Sequence, residues 1–142
     1  MLAHLPMTSN MTREERYAFT WLPDRYCITR LPRGQRFDAA VLDTAAWYSL
    51  TRTDEELSVI APSDIDFPSG QRQEGWRCLK MLGPLDFSLI GVMASVTTTL
   101  AEAGISVLTV STYDTDYILV RDHQSESARQ ALLGAGHEVT RA

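Results

Sequence analysis

The sequence predicts an α+β protein built from two βαββαβ units in tandem, the first of them degenerate with a shortened first helix. Three observations predict this fold: the order of apolar segments in the second half, a partial copy of that order in the first half, and two polar turns of related sequence. The order strand, helix, strand, strand, helix, strand over a short stretch is typical of a ferredoxin-like sandwich. At 142 residues the chain fits one ordinary domain or two small units that share a core.

The second unit opens with a predicted strand over residues 76–82, which Gly83 and Pro84 end. A helix is then predicted from Phe87 to Ala103, because apolar residues recur there at helical spacing. Asp86 or Ser88 can cap its start. Gly104 is suited to end it.

Gly91 falls inside this predicted helix, where glycine costs about 1 kcal/mol relative to alanine. Two explanations stay open. A ligand or another backbone approaches closely at this point, or the glycine only allows the helix to pack on the sheet.

Two more strands are predicted at residues 105–112 and 116–121, joined by a polar turn. Asp122 or Ser125 can cap a second helix that runs to about Leu133, and HEVT closes the unit as a short strand. In ferredoxin-like topology the first and third strands are central and the second is an edge. The unbroken run YILV suits the central third strand.

The first half repeats parts of this pattern. Ser49 to Asp54 shares S-x-x-x-T-D with Ser111 to Asp116, and each motif precedes apolar strand residues. The segment YCITRLP, residues 26–32, resembles the strand at 76–82 and its closing proline. The first helix would be reduced to about Phe37 to Asp43. A duplication is therefore predicted, with the two units sharing one sheet by alignment of their edge strands.

These comparisons predict a poorly ordered segment at 1–15, a degenerate unit at 16–75 and a complete unit at 76–142. The loosest part is 62–75, rich in Pro, Ser, Gly and Gln, which is predicted as a loop or a remnant of a second helix.

Composition excludes several classes of function. The net charge is −5 with a single lysine and no basic block, which disfavours nucleic-acid binding. Cys27 and Cys78 lie in apolar runs and favour buried thiols of a reduced compartment over a disulfide. We expect a cytoplasmic protein, because no signal peptide or membrane span is recognisable.

Catalytic and metal chemistry find little support in the sequence. His4, His123 and His137 show no metal spacing, and neither a phosphate-binding loop nor a nucleophile–base constellation is recognisable. We therefore expect a protein that is not an enzyme and needs no cofactor.

The turn STYDTDY, residues 111–117, is more polar than a simple turn requires. Asp116 or Asp114 could accept from an ammonium or guanidinium group, and the start of the nearby helix suits a carboxylate. The aromatic rings of Tyr113 and Phe87 could line the pocket and contact a ligand side chain. Structural explanations stay open: Asp86 as a helix cap, Asp114 as a turn former, and the tyrosines as cross-strand packing.

The segments EELSVI, GW, GPLDFSLIGVMASVTTTLAEAGISVLTVSTYDTDYILV and ALLGAGHEV resemble small bacterial tandem ACT-domain proteins, which are similar to the ACT modules of CASTOR-type arginine sensors. The resemblance spans residues 26–139. It implies amino-acid binding at an interface between modules, and regulation without catalysis. It points to these ligand-binding residues: Leu85, Asp86, Phe87, Ser88, Gly91, Ser111, Thr112, Tyr113, Thr115 and Asp116. Asp116 takes the place of the carboxylate that faces the ligand's cationic end.

The favoured hypothesis is a homodimeric, non-catalytic regulator that binds a free amino acid or a related metabolite. The pocket could be completed by the first half of the chain or by a second subunit. The alternatives are a ligand-independent interaction module and, third, a small enzyme on a ferredoxin-like sheet.

Overall fold

A computed structural model describes residues 16–67, 69–83 and 91–141 of the chain. Within these ranges lie the strands β1 (Ala18–Leu31), β2 (Ser49–Arg52), β3 (Leu57–Pro62), β4 (Gln71–Met81), β5 (Val107–Ser111), β6 (Asp116–Arg121) and β7 (Glu138–Arg141). The helices are α1 (Val92–Glu102) and α2 (Ser125–Gly134), with 3-10 turns at Ala39–Leu42 and Asp122–Gln124. The predicted N-terminal segment 1–15 and the predicted site residues Leu85–Ser88 lie outside the described ranges.

The strands form one sheet in the order β2-β3-β1-β4-β6-β5, with β7 paired to β1. Strand β5 lies at an edge and β6 lies inside the sheet, as the ferredoxin-like order predicts. The sheet is continuous, but the expectation that edge strands join its halves is wrong. The two halves are joined by the long antiparallel pair of β1 and β4, which runs through the middle.

Strand β1 changes partner along its length. Residues 18–21 pair in parallel with β7, whereas residues 26–31 pair antiparallel with β3. Pro23 lies between these two segments, where the β1–β4 register also shifts between Trp21 and Arg25. Because proline has no N–H and a fixed φ, it suits the point where a strand bends and a ladder is interrupted.

The two faces of the sheet are covered differently. On one face α1 and α2 pack over β1, β4 and β6, and the largest core cluster lies beneath them, built around Phe19, Leu79, Val96, Ile118 and Leu132. Helix α1 buries Val92, Val96 and Leu100, which recur every fourth residue on one side of the helix. The opposite face carries a second cluster, which consists of Tyr26, Trp76, Cys78 and Leu119 with Trp47 packed against it.

Two sequence predictions need correction. Gly91 does not lie inside a helix: it precedes α1 as the N-cap with φ of 79°, a left-handed conformation that glycine adopts without strain. The segment 62–75 is not a helical remnant in its last part, because Gln71 to Gly75 already belong to β4. This part of β4 consists of polar residues and a glycine, so the apolar pattern of the strand begins only at Trp76.

Other predictions are confirmed. The short 3-10 turn Ala39–Leu42 lies within the predicted reduced helix, and Leu42 is buried there. Helix α2 spans the predicted region, beginning at Ser125. Cys27 and Cys78 are both free and buried, and burial raises the pKa of the Cys78 thiol to about 12.

Candidate functional site

The turn between β5 and β6 is closed by its own threonines. The backbone N–H of Thr112 donates to the carbonyl oxygen of Thr115 over 2.9 Å, and the Thr112 hydroxyl donates to the same oxygen over 3.1 Å. Ser111 and Asp116 are opposite each other at the end of the ladder. The hydroxyl-rich sequence of the turn therefore serves first to fix its geometry.

Thr115 ties this turn to the neighbouring strand β4. Its hydroxyl donates to the carbonyl oxygen of Met81, at a distance of 2.5 Å, and the residue is only 5% exposed. The bond joins the start of β6 to the last residue of β4 across 34 positions of sequence. The hydroxyl of Thr115 is thus already engaged inside the protein.

A pocket of about 300 Å³ lies beside this turn, and we name it the hairpin pocket. It is lined by Lys80, Leu82, Gly83, Thr112, Asp114, Thr115 and Tyr117. Lys80 and Tyr117 face each other directly in the ladder between β4 and β6. One ammonium and one carboxylate therefore lie at the same small cavity, together with hydroxyl groups.

Aromatic side chains continue from the pocket along the same face of the sheet. The rings of Tyr117 and Trp47 are 4.9 Å apart, and Trp47 contacts Tyr26 edge-on at 5.5 Å. Burial, followed by electrostatic interaction with Cys78 and with Asp114, raises the pKa of Tyr117. Its phenol therefore remains protonated near neutral pH and can donate a hydrogen bond.

The structure places the predicted site residues in different positions. Thr112 and Thr115 line the hairpin pocket. Asp116 accepts a hydrogen bond from the Ser111 hydroxyl over 2.5 Å. Because side chains alternate along a strand, Asp116 shares a face with Ile118, on the side of the helices, whereas Tyr117 points to the opposite face. Ser111 and Asp116 are not among the residues that line the pocket.

The remaining predicted residues lie apart from the hairpin pocket or outside the described ranges. Tyr113 projects from the turn with 87% of its surface exposed. Gly91 lies at the start of α1, and a Cβ added there would have no described residue within 4 Å. Leu85, Asp86, Phe87 and Ser88 are outside the described ranges.

Sequence reasoning missed Lys80, Leu82, Gly83 and Tyr117 as pocket residues. It left Asp114 open between a ligand acceptor and a turn former. The single lysine in a run of apolar residues was a visible signal. Its meaning depends on the β4–β6 register, which places it opposite Tyr117 and beside the turn.

The surroundings of His137 indicate a structural role for this residue. It is 5% exposed, and its Nδ1 accepts a hydrogen bond from the backbone N–H of Tyr17 over 3.0 Å. Burial lowers the pKa of His137, which favours the neutral ring that this bond requires.

Within the described ranges, no three His, Cys, Asp or Glu side chains are grouped as a metal site would require. No helix in those ranges has the length and apolar character to cross a membrane.

Comparison with known proteins identifies the family. A family model described as ACT domain matches residues 71–133. The crystal structure of protein Atu0741 from Agobacterium tumefaciens is 34% identical in sequence, with a TM-score of 0.82 over 90% of this chain and 95% of that one. The chain carries an ACT domain and belongs to the same family as Atu0741. No curated protein sequence matches it.

More distant structures share the fold of this ACT-domain protein. The protein of unknown function VC0802 from Vibrio cholerae is 19% identical, with a TM-score of 0.73 over 91% of this chain and 97% of that one. The ligand-free regulatory subunit of aspartate kinase from Thermus thermophilus is 14% identical, with a TM-score of 0.59 over 79% and 93% of the two chains. At these identities the likeness concerns the fold.

Proposed function

We propose that this ACT-domain protein is a non-catalytic regulator that binds a free amino acid in the hairpin pocket. The observation that carries the proposal is the presence of Lys80 and Asp114 at one cavity of about 300 Å³. A cavity of this volume suits a small metabolite. The fold shared with a regulatory subunit of aspartate kinase supports a role in regulation.

The chemistry of the pocket complements a zwitterion. The ammonium of Lys80 can pair with the ligand's carboxylate, and the carboxylate of Asp114 can accept from the ligand's ammonium. The phenol of Tyr117 and the hydroxyl of Thr112 provide further hydrogen bonds. Leu82 is 44% exposed and offers an apolar surface to an aliphatic side chain.

The ligand contacts inferred from the resemblance remain part of the proposal. In that arrangement, an alternative to the hairpin pocket, Ser111 and Asp116 would bind the ligand on the helix side of the turn. We propose that the two halves of the chain are tandem ACT units, divided near residue 75, and that the ligand lies where two such units meet. A homodimer would supply the second unit if the first half of the chain does not.

The test is a thermal-shift and calorimetric screen of the twenty amino acids at millimolar concentration. At least one should stabilise the protein, since a ligand at 100 times its dissociation constant adds about 2.7 kcal/mol. Lys80→Gln and Asp114→Asn should each weaken that binding at least tenfold. The matched control is Asp54→Asn, because Asp54 lies in the corresponding exposed turn between β2 and β3.

The variant Asp116→Asn distinguishes the two sides of the hairpin. If it abolishes binding while Asp114→Asn does not, the ligand lies on the helix side of the turn. If no amino acid stabilises the protein, or if Lys80→Gln binds as the wild type does, the proposal for the hairpin pocket fails.

A ligand-independent interaction module is the second candidate, and edge strand β5 favours it. Among the described strands β5 pairs only with β6, and Leu108 on this strand is 39% exposed. An unpaired edge can add to a sheet in another chain. A dimer in light scattering that is unaffected by any amino acid, and is dissociated by Leu108→Lys, would favour this function over the first.

A further inference from the structure

A second concave site lies on the helix side of the sheet, where β1 bends at Pro23. It has a volume of about 260 Å³, and we name it the arginine pocket. Four elements supply its walls, namely β1, β4, α2 and β7, through the side chains Trp21, Leu22, Pro23, Arg77, Ser125, Glu126, Arg129 and Arg141. It is lined by none of the residues of the hairpin pocket.

The Arg77 side chain is less exposed than that of Arg129, at 23% against 40%. Its guanidinium is 5.0 Å from the centroid of the Trp21 ring, a cation–π contact that holds the side chain against the sheet. The Nε atom is buried and has no hydrogen-bond partner within the described ranges. The nearest carboxylate contact is at 4.0 Å, from Nη1 to Oδ1 of Asp122, and Asp122 is shared with Arg25 at 3.2 Å. The charge of Arg77 is thus only weakly compensated.

The other two arginines of the pocket, Arg129 and Arg141, differ in their side-chain hydrogen bonds. Arg129 is oriented by Glu126, with Nε to Oε1 at 2.9 Å and Nη2 to Oε2 at 2.5 Å. This fork geometry fixes the guanidinium plane at the rim. Arg141 is opposite Trp21 in the β1–β7 ladder, and its side chain forms no hydrogen bond or ion pair with any described residue. Its positive charge still acts on Glu126, whose pKa is lowered first by the hydrogen bond from Arg129 and further by Arg141.

The lining therefore contains three guanidinium groups and one carboxylate. Such an excess of positive charge is unexpected in a chain with net charge −5. Like charges gathered in a concave site repel one another unless an anion is bound. Arginine retains its charge at any physiological pH and binds carboxylate and phosphate groups bidentately.

We propose that the arginine pocket binds a small organic dianion, a dicarboxylate or a phosphate monoester. Arg77 and Arg141 bind its oxyanion groups, Arg129 closes the rim, and the ring of Trp21 with Pro23 contacts the ligand's carbon skeleton. Arg77 shares the helix-side face with Leu79, whereas Lys80 points to the opposite face. The dianion site is therefore separate from the hairpin pocket, and both ligands can bind at once.

The experiment titrates the full-length protein with succinate and with phenyl phosphate at 50 mM and 200 mM NaCl, using calorimetry and thermal shift. Succinamide, the uncharged analogue of succinate, is the ligand control. We expect at least one dianion to bind and raise Tm, and to bind more weakly at the higher salt, whereas succinamide has no effect. Binding of succinate alone identifies a dicarboxylate site, and binding of phenyl phosphate alone identifies a phosphate monoester site.

Variants test whether the bound dianion occupies this pocket. Arg141→Gln and Arg77→Gln should each lower the affinity at least tenfold, and Arg33→Gln, an exposed arginine elsewhere on the surface, should leave it unchanged. Arg141 is exposed, so this variant remains informative if Arg77→Gln is unstable. The proposal is overturned if neither dianion binds, or if Arg33→Gln weakens binding as much as Arg141→Gln does.

Discussion

Replacement of Thr115 by valine should destabilise the protein through one buried hydrogen bond. Valine has nearly the same shape as threonine, so the change removes the hydroxyl and little else. The Thr115 hydroxyl donates to the Met81 carbonyl over 2.5 Å, and the residue is 5% exposed. Water cannot readily replace the lost donor, so the free energy of unfolding should fall by about 1–3 kcal/mol. For a chain of this size that is a decrease in Tm of roughly 3–10 °C.

The assay is urea denaturation followed by circular dichroism, with Thr112→Val as the matched control. Thr112 lies in the same turn but is exposed, so water can satisfy the groups that its hydroxyl leaves. We expect Thr112→Val to change the free energy of unfolding by less than about 1 kcal/mol. If Thr115→Val is as stable as the wild type, or no less stable than Thr112→Val, the assigned role of the hydroxyl is wrong.

Two further predictions concern stability. Burial lowers the pKa of His137 in the folded protein. The neutral ring of His137 should therefore stabilise the fold fully above the ordinary histidine pKa of about 6.5, and this stabilisation should be lost as the pH falls below that value. Denaturation curves from pH 8 to 5 should show this loss in the wild type and in His123→Gln, and a smaller loss in His137→Asn. Gly70→Ala should be less stable than Gly75→Ala. In Gly75→Ala the left-handed φ of 83° alone costs about 1–2 kcal/mol. In Gly70→Ala the added Cβ would also lie 2.8 Å from the carbonyl oxygen of Arg30, which is closer than real Cβ atoms come. Equal melting temperatures for the two glycine variants would contradict that reasoning.

The second half of the fold was readable from the sequence because its signals are local. The apolar run of β6, the helical spacing that ends before Gly104, and the glycines at and after the end of α2 each define an element without reference to distant residues. The repeated S-x-x-x-T-D motif located the strands that flank the turn between β2 and β3. The limits of β1 and β4 were not readable, since polar residues occupy the first half of β4 and Pro23 interrupts β1.

The candidate sites were harder to predict because they depend on register. Lys80 and Tyr117 are adjacent only because β4 pairs with β6 at that offset. Arg77, Arg129 and Arg141 come from two strands and a helix, and no sequence spacing relates them. The turn residues were recognised as unusual, but their hydroxyls proved to be engaged in bonds that hold the turn itself.

The divided pairing of β1 has a consequence for the order of folding. Strand β7 pairs only with β1 among the described strands, and its residues lie 120 positions from their partners in β1. During synthesis β1 emerges first of the described strands, but its neighbour β7 emerges last of them. The described sheet can therefore be completed only after β7 has been synthesised, and this pairing of residues distant in sequence is of the kind that slows folding.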